Sequence, residues 1–262
     1  MNLSVTSGAD VATDRISSFD GTPLAIHRLG EGRPVLLLHG LFSNAETNWI
    51  KFGHAARLAD AGFAVFMPDL RAHGESAAPH EAAAYPDDVL AKDIAAIAQH
   101  YGWDEFDLAG FSLGARTAAR CVINGMRPRR LALVGMGLEG LAGWDKREAF
   151  FIDAIDRFGE VKRGDRAFMA VSFMKTMGVD RVAARLLLQS VADAEPEQLR
   201  EHLTMPTLVL SGDEDRDNGS PEKLAELLPD ARLQLIAGTH MSCVTKPELG
   251  AALAAFFSEE VE

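Results

Sequence analysis

Gly110-Phe111-Ser112-Leu113-Gly114 is the stretch that decides how this chain is read. It has the form G-x-S-x-G, which holds a serine out on a sharp turn between a strand and a helix. A serine hydroxyl is a poor nucleophile unless it is presented beside a base and beside donors for a developing oxyanion. Glycines on either side let the backbone bend tightly and let strand and helix approach each other. The flanks fit that geometry. Phe106-Asp107-Leu108-Ala109 reads as a short buried strand, and Ala115-Arg116-Thr117-Ala118-Ala119-Arg120 as the start of a helix.

Such a serine requires an acid and then a histidine later in the chain. Thr207-Leu208-Val209-Leu210-Ser211 is an apolar run suited to a buried parallel strand, and it leads into Gly212-Asp213-Glu214-Asp215. Leu233-Gln234-Leu235-Ile236 leads into Ala237-Gly238-Thr239-His240. A carboxylate and a histidine therefore each stand just past the carboxyl end of a strand, the edge where open α/β sheets place their ligands. Pro34-Val35-Leu36-Leu37-Leu38 reaches the same edge and ends in His39-Gly40-Leu41-Phe42. The amide of Leu113, just after the serine, is one expected oxyanion donor, and Leu41 is named as the other with Phe42 as the alternative.

These segments resemble the α/β-hydrolase family over nearly the whole chain. The matching pieces are Leu37-Leu38-His39-Gly40, Asp69-Leu70-Arg71-Ala72-His73-Gly74-Glu75-Ser76, the Gly110–Gly114 turn, Gly212-Asp213-Glu214-Asp215 and Gly238-Thr239-His240. Five segments in the right order are far more specific than any one. The resemblance implies a doubly wound, mostly parallel eight-stranded sheet with helices on both faces. It also implies a Ser112, Asp215, His240 triad and no cofactor or metal. The family's usual spacing, with the acid three residues after the glycine, selects Asp215 over Asp213.

Composition bounds the reading. At 262 residues the chain can bury one substantial core with a small appended lid, and 47% apolar and 24% charged residues are ordinary for a globular protein. A net charge of −12 argues against nucleic acid and anionic membrane surfaces as partners, since both need clustered Lys and Arg. Cys121 and Cys243 make no disulfide framework and read as buried free thiols. Met1 to Asp14 has neither the basic nor the apolar region of a signal peptide, and no stretch approaches a membrane span, so a cytoplasmic location is expected.

Along the chain, the first dozen residues read as loose. Asp20-Gly21 marks a hairpin between Arg15–Phe19 and Leu24–Leu29. Trp49 to Ala61 shows helical spacing closed by Gly62, Phe63 to Met67 reads as a strand, Pro86 to Tyr101 as a helix, and Arg130 to Val134 as a strand. The alternation marks a doubly wound α/β sheet. Between Gly137 and Leu203 only helical patterns occur, so 1–136 and 204–262 are assigned to the core and 137–203 to a small helical cap. The Phe and Met residues of that segment between Phe150 and Met174 are candidates to line an apolar acyl pocket.

Other patterns carry less. Gly135-Met136-Gly137-Leu138-Glu139-Gly140 matches G-x-G-x-x-G, but a dinucleotide fingerprint opens the first βαβ unit and runs straight into a helix. Asp213 to Gly219 fails as a calcium loop, having Asn218 at the sixth position and Leu224 at the twelfth. No histidine pair has the spacing of a zinc protease. His39 and His73 read as hydrogen-bonding loop residues, His54 and His202 as surface ones, Pro79-His80-Glu81 as an exposed loop. Asp69 reads as the residue that fixes the Arg71–Ser76 loop. The expected function is a serine esterase or related acyl hydrolase acting on a small ester or lactone. The alternatives are a cofactor-free perhydrolase or a C–C bond hydrolase with the same residues, and a ligand-binding protein that keeps the fold with slow turnover.

Overall fold

Aliphatic runs in which alternate side chains leave on opposite faces make strands that must be covered on both sides. The computed structural model of the protein, which describes residues 11–259, builds eight such strands into one sheet: β1 (Ala12–Ser17), β2 (Pro23–Leu29), β3 (Arg33–Leu38), β4 (Phe63–Pro68), β5 (Asp107–Phe111), β6 (Leu131–Val134), β7 (Thr207–Gly212) and β8 (Ala231–Ile236). Their order is β1-β2-β4-β3-β5-β6-β7-β8. β2 runs antiparallel to β1 and β4, and every other pairing is parallel.

The helices are α1 (His54–Asp60), α2 (Val89–Tyr101), α3 (Leu113–Ile123), α4 (Leu138–Leu141), α5 (Trp144–Asp156), α6 (Phe168–Met177), α7 (Arg181–Gln189), α8 (Pro196–His202), α9 (Pro221–Leu227), α10 (His240–Cys243) and α11 (Pro247–Ser258). Val35 and Leu37 of β3 face a layer made by α1 and α11, where Leu58, Leu249, Leu253, Phe256 and Phe257 are buried. Leu36 and Leu38 face the other way, onto α2 and α3, where Ile94, Ile97, Ala118 and Val122 are buried. Among the described residues no helix is long and apolar enough to cross a membrane.

Strand order places the site. From β3 the chain goes to β4 on one side and then returns to β5 on the other, so the order reverses at β3. The register pairs Leu38 with Gly110, which brings the loop after β3 against the turn after β5. This reversal point is where a crevice opens above a parallel sheet.

Between β6 and β7 lie α4 to α8 and no strand. Most of this segment has its own core of Trp144, Ile155, Val171, Met174 and Leu188, which also takes in Phe42 from the loop after β3. α7 serves both sides, with Ala184 and Leu188 in that core and Ala183 and Leu187 against the sheet layer. α8 places Leu199 in the sheet layer.

Three local expectations need correction. Trp49 to Ala61 is not one helix: a π-helical turn covers Glu46–Ile50, Gly53 sits at φ 77°, and α1 begins after it. Gly53 takes the left-handed backbone that breaks the run while Trp49 stays fully buried. His54 is not a surface residue. It is 1% exposed, its Nε2 lies 2.6 Å from the Val244 carbonyl, and burial pushes its pKa down, so the neutral ring donates there. The first strand starts earlier than expected, at Ala12, because the turn Ser18–Thr22 already closes the hairpin. The loose segment expected at the amino terminus lies outside the described residues for its first ten positions.

Asp69 ties the loops around the site together. Its carboxylate accepts from Ala45 N–H at 2.9 Å and Glu75 N–H at 2.7 Å and meets His27 Nε2 at 3.2 Å, while its carbonyl accepts from Ser76. Gly74 is required beside it, since a Cβ there would lie 2.1 Å from Oδ2. Burial pushes the Asp69 pKa up, but the hydrogen bonds from His27 and the two amides outweigh it and hold it at about 2. A carboxyl whose pKa is depressed in the folded state stabilises above its unfolded value, and that stability is lost as the pH falls through the folded one. The shift is equivalent to about 2 kcal/mol. Asp69→Asn should therefore lower unfolding free energy by at least about 2 kcal/mol at pH 7, with the difference shrinking between about pH 4 and pH 2. Urea melts across that range check it.

Candidate active site

Ser112 stands at φ 53° and ψ −112°, outside the regions an L-residue prefers, a conformation that costs about 1–3 kcal/mol. The glycines beside it make the turn possible. A Cβ on Gly110 would lie 2.1 Å from the Gly114 carbonyl oxygen, and one on Gly114 would lie 2.1 Å from that of Leu38. The Ser112 N–H donates to Val134 O at 2.9 Å, and Arg116 N–H to Ser112 O, so the turn is pinned to β6 and continues into α3.

His240 opens α10 behind a Thr239 capping box with Ser242. Its Nε2 is 3.1 Å from Ser112 Oγ and its Nδ1 is 2.8 Å from Asp215 Oδ2. All three side chains are buried: Ser112 is 9%, His240 8% and Asp215 5% exposed. The neighbouring carboxylates do other things. Asp213 accepts from Gly238 N–H at 2.9 Å on the surface, and Asp217 is exposed while its own N–H donates to Asp215 Oδ1 at 2.9 Å. Burial raises the Asp215 pKa, but the hydrogen bond and charge of His240, the Asp217 amide and Arg147 together hold it below the ordinary carboxylate value. Asp215 is thus ionised at neutral pH. It fixes the imidazole with its proton on Nδ1 and a lone pair on Nε2 facing the serine.

The loop after β3 closes the other side. A Cβ on Gly40 would lie 3.0 Å from the Phe111 ring and 3.5 Å from Ser112 Cβ. The structure separates the two candidate donors in this loop. Phe42 N–H, in a residue at φ 60°, donates to His73 Nε2 at 3.0 Å, while no hydrogen bond from Leu41 N–H occurs among the described residues. Leu113 heads α3, where an N–H has no intrahelical acceptor. His73 is held neutral by burial, and its pKa is driven down to about 3. Its Nδ1 donates to Arg71 O at 2.9 Å. His39 likewise donates from Nδ1 to Gly40 O and accepts from Leu70 N–H on Nε2.

Several residues at this site had no signal in the sequence. Phe111 stacks on His240 at 4.9 Å and 25°. Asn218, 3% exposed, donates from Nδ2 to Gly135 O at 2.8 Å and approaches His240 Nδ1 at 3.3 Å. Only its position three residues past Asp215 hinted at it. Arg147 of α5 donates to Asp217 O at 2.6 Å. The G-x-G-x-x-G stretch packs against the same loop: Gly137 and Gly140 N–H both donate to Asn218 O at 3.0 Å, and Leu138 N–H to Ser220 O at 3.1 Å. The amides a phosphate would need are already used. Asp215, Asp217 and His240 bring three potential metal-ligand atoms within 4.8 Å of one another, yet His240 Nδ1 and Asp215 are bonded to each other.

A strand-order reversal with a strained serine, a histidine and a carboxylate at its mouth defines the class, and comparison with known proteins agrees. A family described as the alpha/beta hydrolase fold matches residues 33–158. An AB hydrolase superfamily protein, YisY, of Bacillus subtilis is 31% identical over 105 residues, 40% of this chain and 37% of that protein. N-formylmaleamate deformylase of Pseudomonas putida is 31% identical over 146 residues, 54% of this chain and 53% of the enzyme. The chain thus spans about half the length of these curated relatives or less. A thermophilic esterase from Thermogutta terrifontis superposes with a TM-score of 0.75 at 22% identity, covering 94% of this chain and 98% of that one. This chain has the alpha/beta hydrolase fold.

Gly135 tests how tightly the imidazole is packed. It sits at φ 61°, and a Cβ there would lie 2.7 Å from the Phe111 ring and 3.2 Å from His240 Cε1. Gly135→Ala should destabilise by about 2–4 kcal/mol, combining backbone strain and overpacking. Gly125→Ala, also at positive φ but with nothing within 4 Å of the added Cβ, should cost only the strain, about 1–2 kcal/mol. Thermal and urea denaturation of the two variants compare them directly.

Proposed function

We propose that this chain is a serine hydrolase that cleaves small carboxylic esters or lactones through an acyl-enzyme on Ser112. The observation that carries the reading is the continuous line from Ser112 Oγ through His240 to Asp215, at 3.1 and 2.8 Å, on a serine held in a strained turn. His240 takes the Ser112 proton on Nε2 as Oγ attacks the carbonyl carbon. Asp215 keeps the ring in the required tautomer and stabilises the imidazolium as it forms. The N–H groups of Leu41 and Leu113 receive the oxyanion, and each hydrogen bond aimed there is worth about 3 kcal/mol in the transition state. The imidazolium then returns its proton to the leaving alkoxide. Water, deprotonated by His240, attacks the acyl-enzyme and releases the acid.

In this reading residues 137–203 act as a cap. Phe150 and Phe151 pack with Phe42, whose ring meets that of Phe151 edge-on at 5.6 Å, so the acyl pocket would be apolar and aromatic where it borders the loop after β3. No resident cofactor or metal takes part in the proposed steps.

A fluorophosphonate probe should label Ser112 alone, and Ser112→Ala should abolish labelling and ester hydrolysis while leaving the thermal midpoint within a few degrees. Labelling at another serine, or full activity in the variant, overturns the assignment. Asp215→Asn should lower kcat by about 10⁴-fold, because the ring loses its tautomer and its counter-charge. Asp213→Asn and Asp217→Asn should change kcat far less. A large loss at Asp213 with little at Asp215 would move the acid by two residues.

A further inference from the structure

Burying a guanidinium without a carboxylate is costly, so the arginines that fold out of solvent are normally paired. In this protein Arg28, Arg33, Arg71, Arg116, Arg120, Arg129, Arg130, Arg157 and Arg185 are all partly or fully withdrawn from solvent, and each has a carboxylate within 4.0 Å. Arg147 is the exception among the described residues: half-buried, it feels the charges of Asp217 and Asp215 but has no carboxylate within that distance. Its one hydrogen bond goes from one terminal nitrogen to the Asp217 carbonyl, at 2.6 Å. Its remaining N–H groups have no acceptor among the described residues.

The position of this open charge matters. Arg147 lies in the opening turns of α5, where the helix dipole disfavours a cation rather than balancing it. On one side it holds the loop that carries Asp215. On the other its guanidinium lies 5.8 Å from the Phe151 ring, which packs edge-on against Phe42 of the loop after β3. The guanidinium therefore spans from the loop that carries Asp215 to the Phe151–Phe42 pair beside the loop after β3. Resting on the serine-hydrolase reading above, we infer that Arg147 is a binding residue for a carboxylate carried by the substrate, so that the preferred ester or lactone is an anionic one. A planar fork of free N–H donors suits a carboxylate, and an aromatic face beside it suits the carbon chain that links carboxylate to ester.

Turnover of monoethyl succinate and of neutral ethyl butanoate, followed by pH-stat, tests this in the wild type, Arg147→Met and Arg147→Lys. The charged ester should be preferred by the wild type. Arg147→Met should lower the ratio of kcat/KM for the charged ester to that for the neutral one by about 10- to 100-fold, through KM more than kcat, since any loosening of the acid loop lowers both alike. Arg147→Lys should keep part of the preference. Binding of succinate itself, measured by calorimetry on the wild type and Arg147→Met, requires no turnover and separates the two readings. Succinate binding lost in Arg147→Met alongside unlabelled Ser112 would leave the anion site standing and sink the hydrolase. Equal losses for both esters, or wild-type preference for the neutral one, would reduce Arg147 to a latch between α5 and the acid loop and overturn the inference. If Arg147→Met fails to fold, Arg147→Lys and competition by succinate against ethyl butanoate in the wild type decide it, with no competition overturning the proposal.

Discussion

Backbone approaching backbone where no Cβ fits is the constraint on which the site depends. Gly114 lies so close to the end of β3 that a methyl group would overlap the Leu38 carbonyl, and Gly110 lies equally close to Gly114. These contacts force β5 into α3 within one residue, and that residue, Ser112, absorbs the strain at φ 53°. Gly40 faces the turn from the other side with less crowding, a Cβ there meeting the Phe111 ring at 3.0 Å. The serine therefore projects from the sheet edge because Gly110 and Gly114 bring strand and helix too close for any wider turn, and the strain of about 1–3 kcal/mol is offset by the buried strands on either side.

Electrostatics then sort the buried groups into charged and neutral. Asp215 and Asp69 stay ionised in spite of burial because amides and histidines face them. His39 and His73 are pushed the other way, to the neutral form, since burial dominates and neither has a carboxylate in direct contact. A neutral His73 keeps Nε2 as an acceptor, and that acceptor takes Phe42 N–H. The loop after β3 thus satisfies the Phe42 amide internally and leaves that of Leu41 without an acceptor among the described residues.

Much of this was legible in the sequence because it is local or strictly ordered. The strands from β3 to β7 announce themselves as apolar runs, and Ser112, Asp215 and His240 sit one turn past strand ends that the parallel topology must bring to one edge. What escaped depends on contacts between distant segments. His54 reads as polar and exposed until Val244 and the side-chain-free Gly250 provide a slot for its ring. Trp49 has helical spacing, yet Gly53 breaks the run because burying the indole matters more than continuing the helix. Asn218 and Arg147 show no periodicity at all, since their roles arise only where α4, α5 and the acid loop meet. The choice between Leu41 and Phe42 hung on His73, thirty-one residues from Phe42.

The helical segment between β6 and β7 is fastened to the elements that hold the serine. Arg116, one turn into α3 and 2% exposed, donates to Gly140 O, to Ala192 O at 3.0 Å and to Asp193, and lies 4.9 Å from the Trp144 ring. Trp144 in turn donates its N–H to Asp193 at 2.6 Å and its Nε1 to Leu188 O at 3.0 Å. Lifting the whole segment away would strip a buried guanidinium of its acceptors, a loss of about 3–5 kcal/mol where a buried pair is broken. It would also pull Phe42 out of the core it shares with Ile155, Val171 and Met174. Phe150, Phe151, Phe168 and Phe173 of α5 and α6 are only partly buried, so any motion of this segment that spares those bonds is confined to α6 and the part of α5 beyond Trp144. The base formed by α4, Trp144 and the Asp193 loop is the part that these bonds tie most firmly to α3.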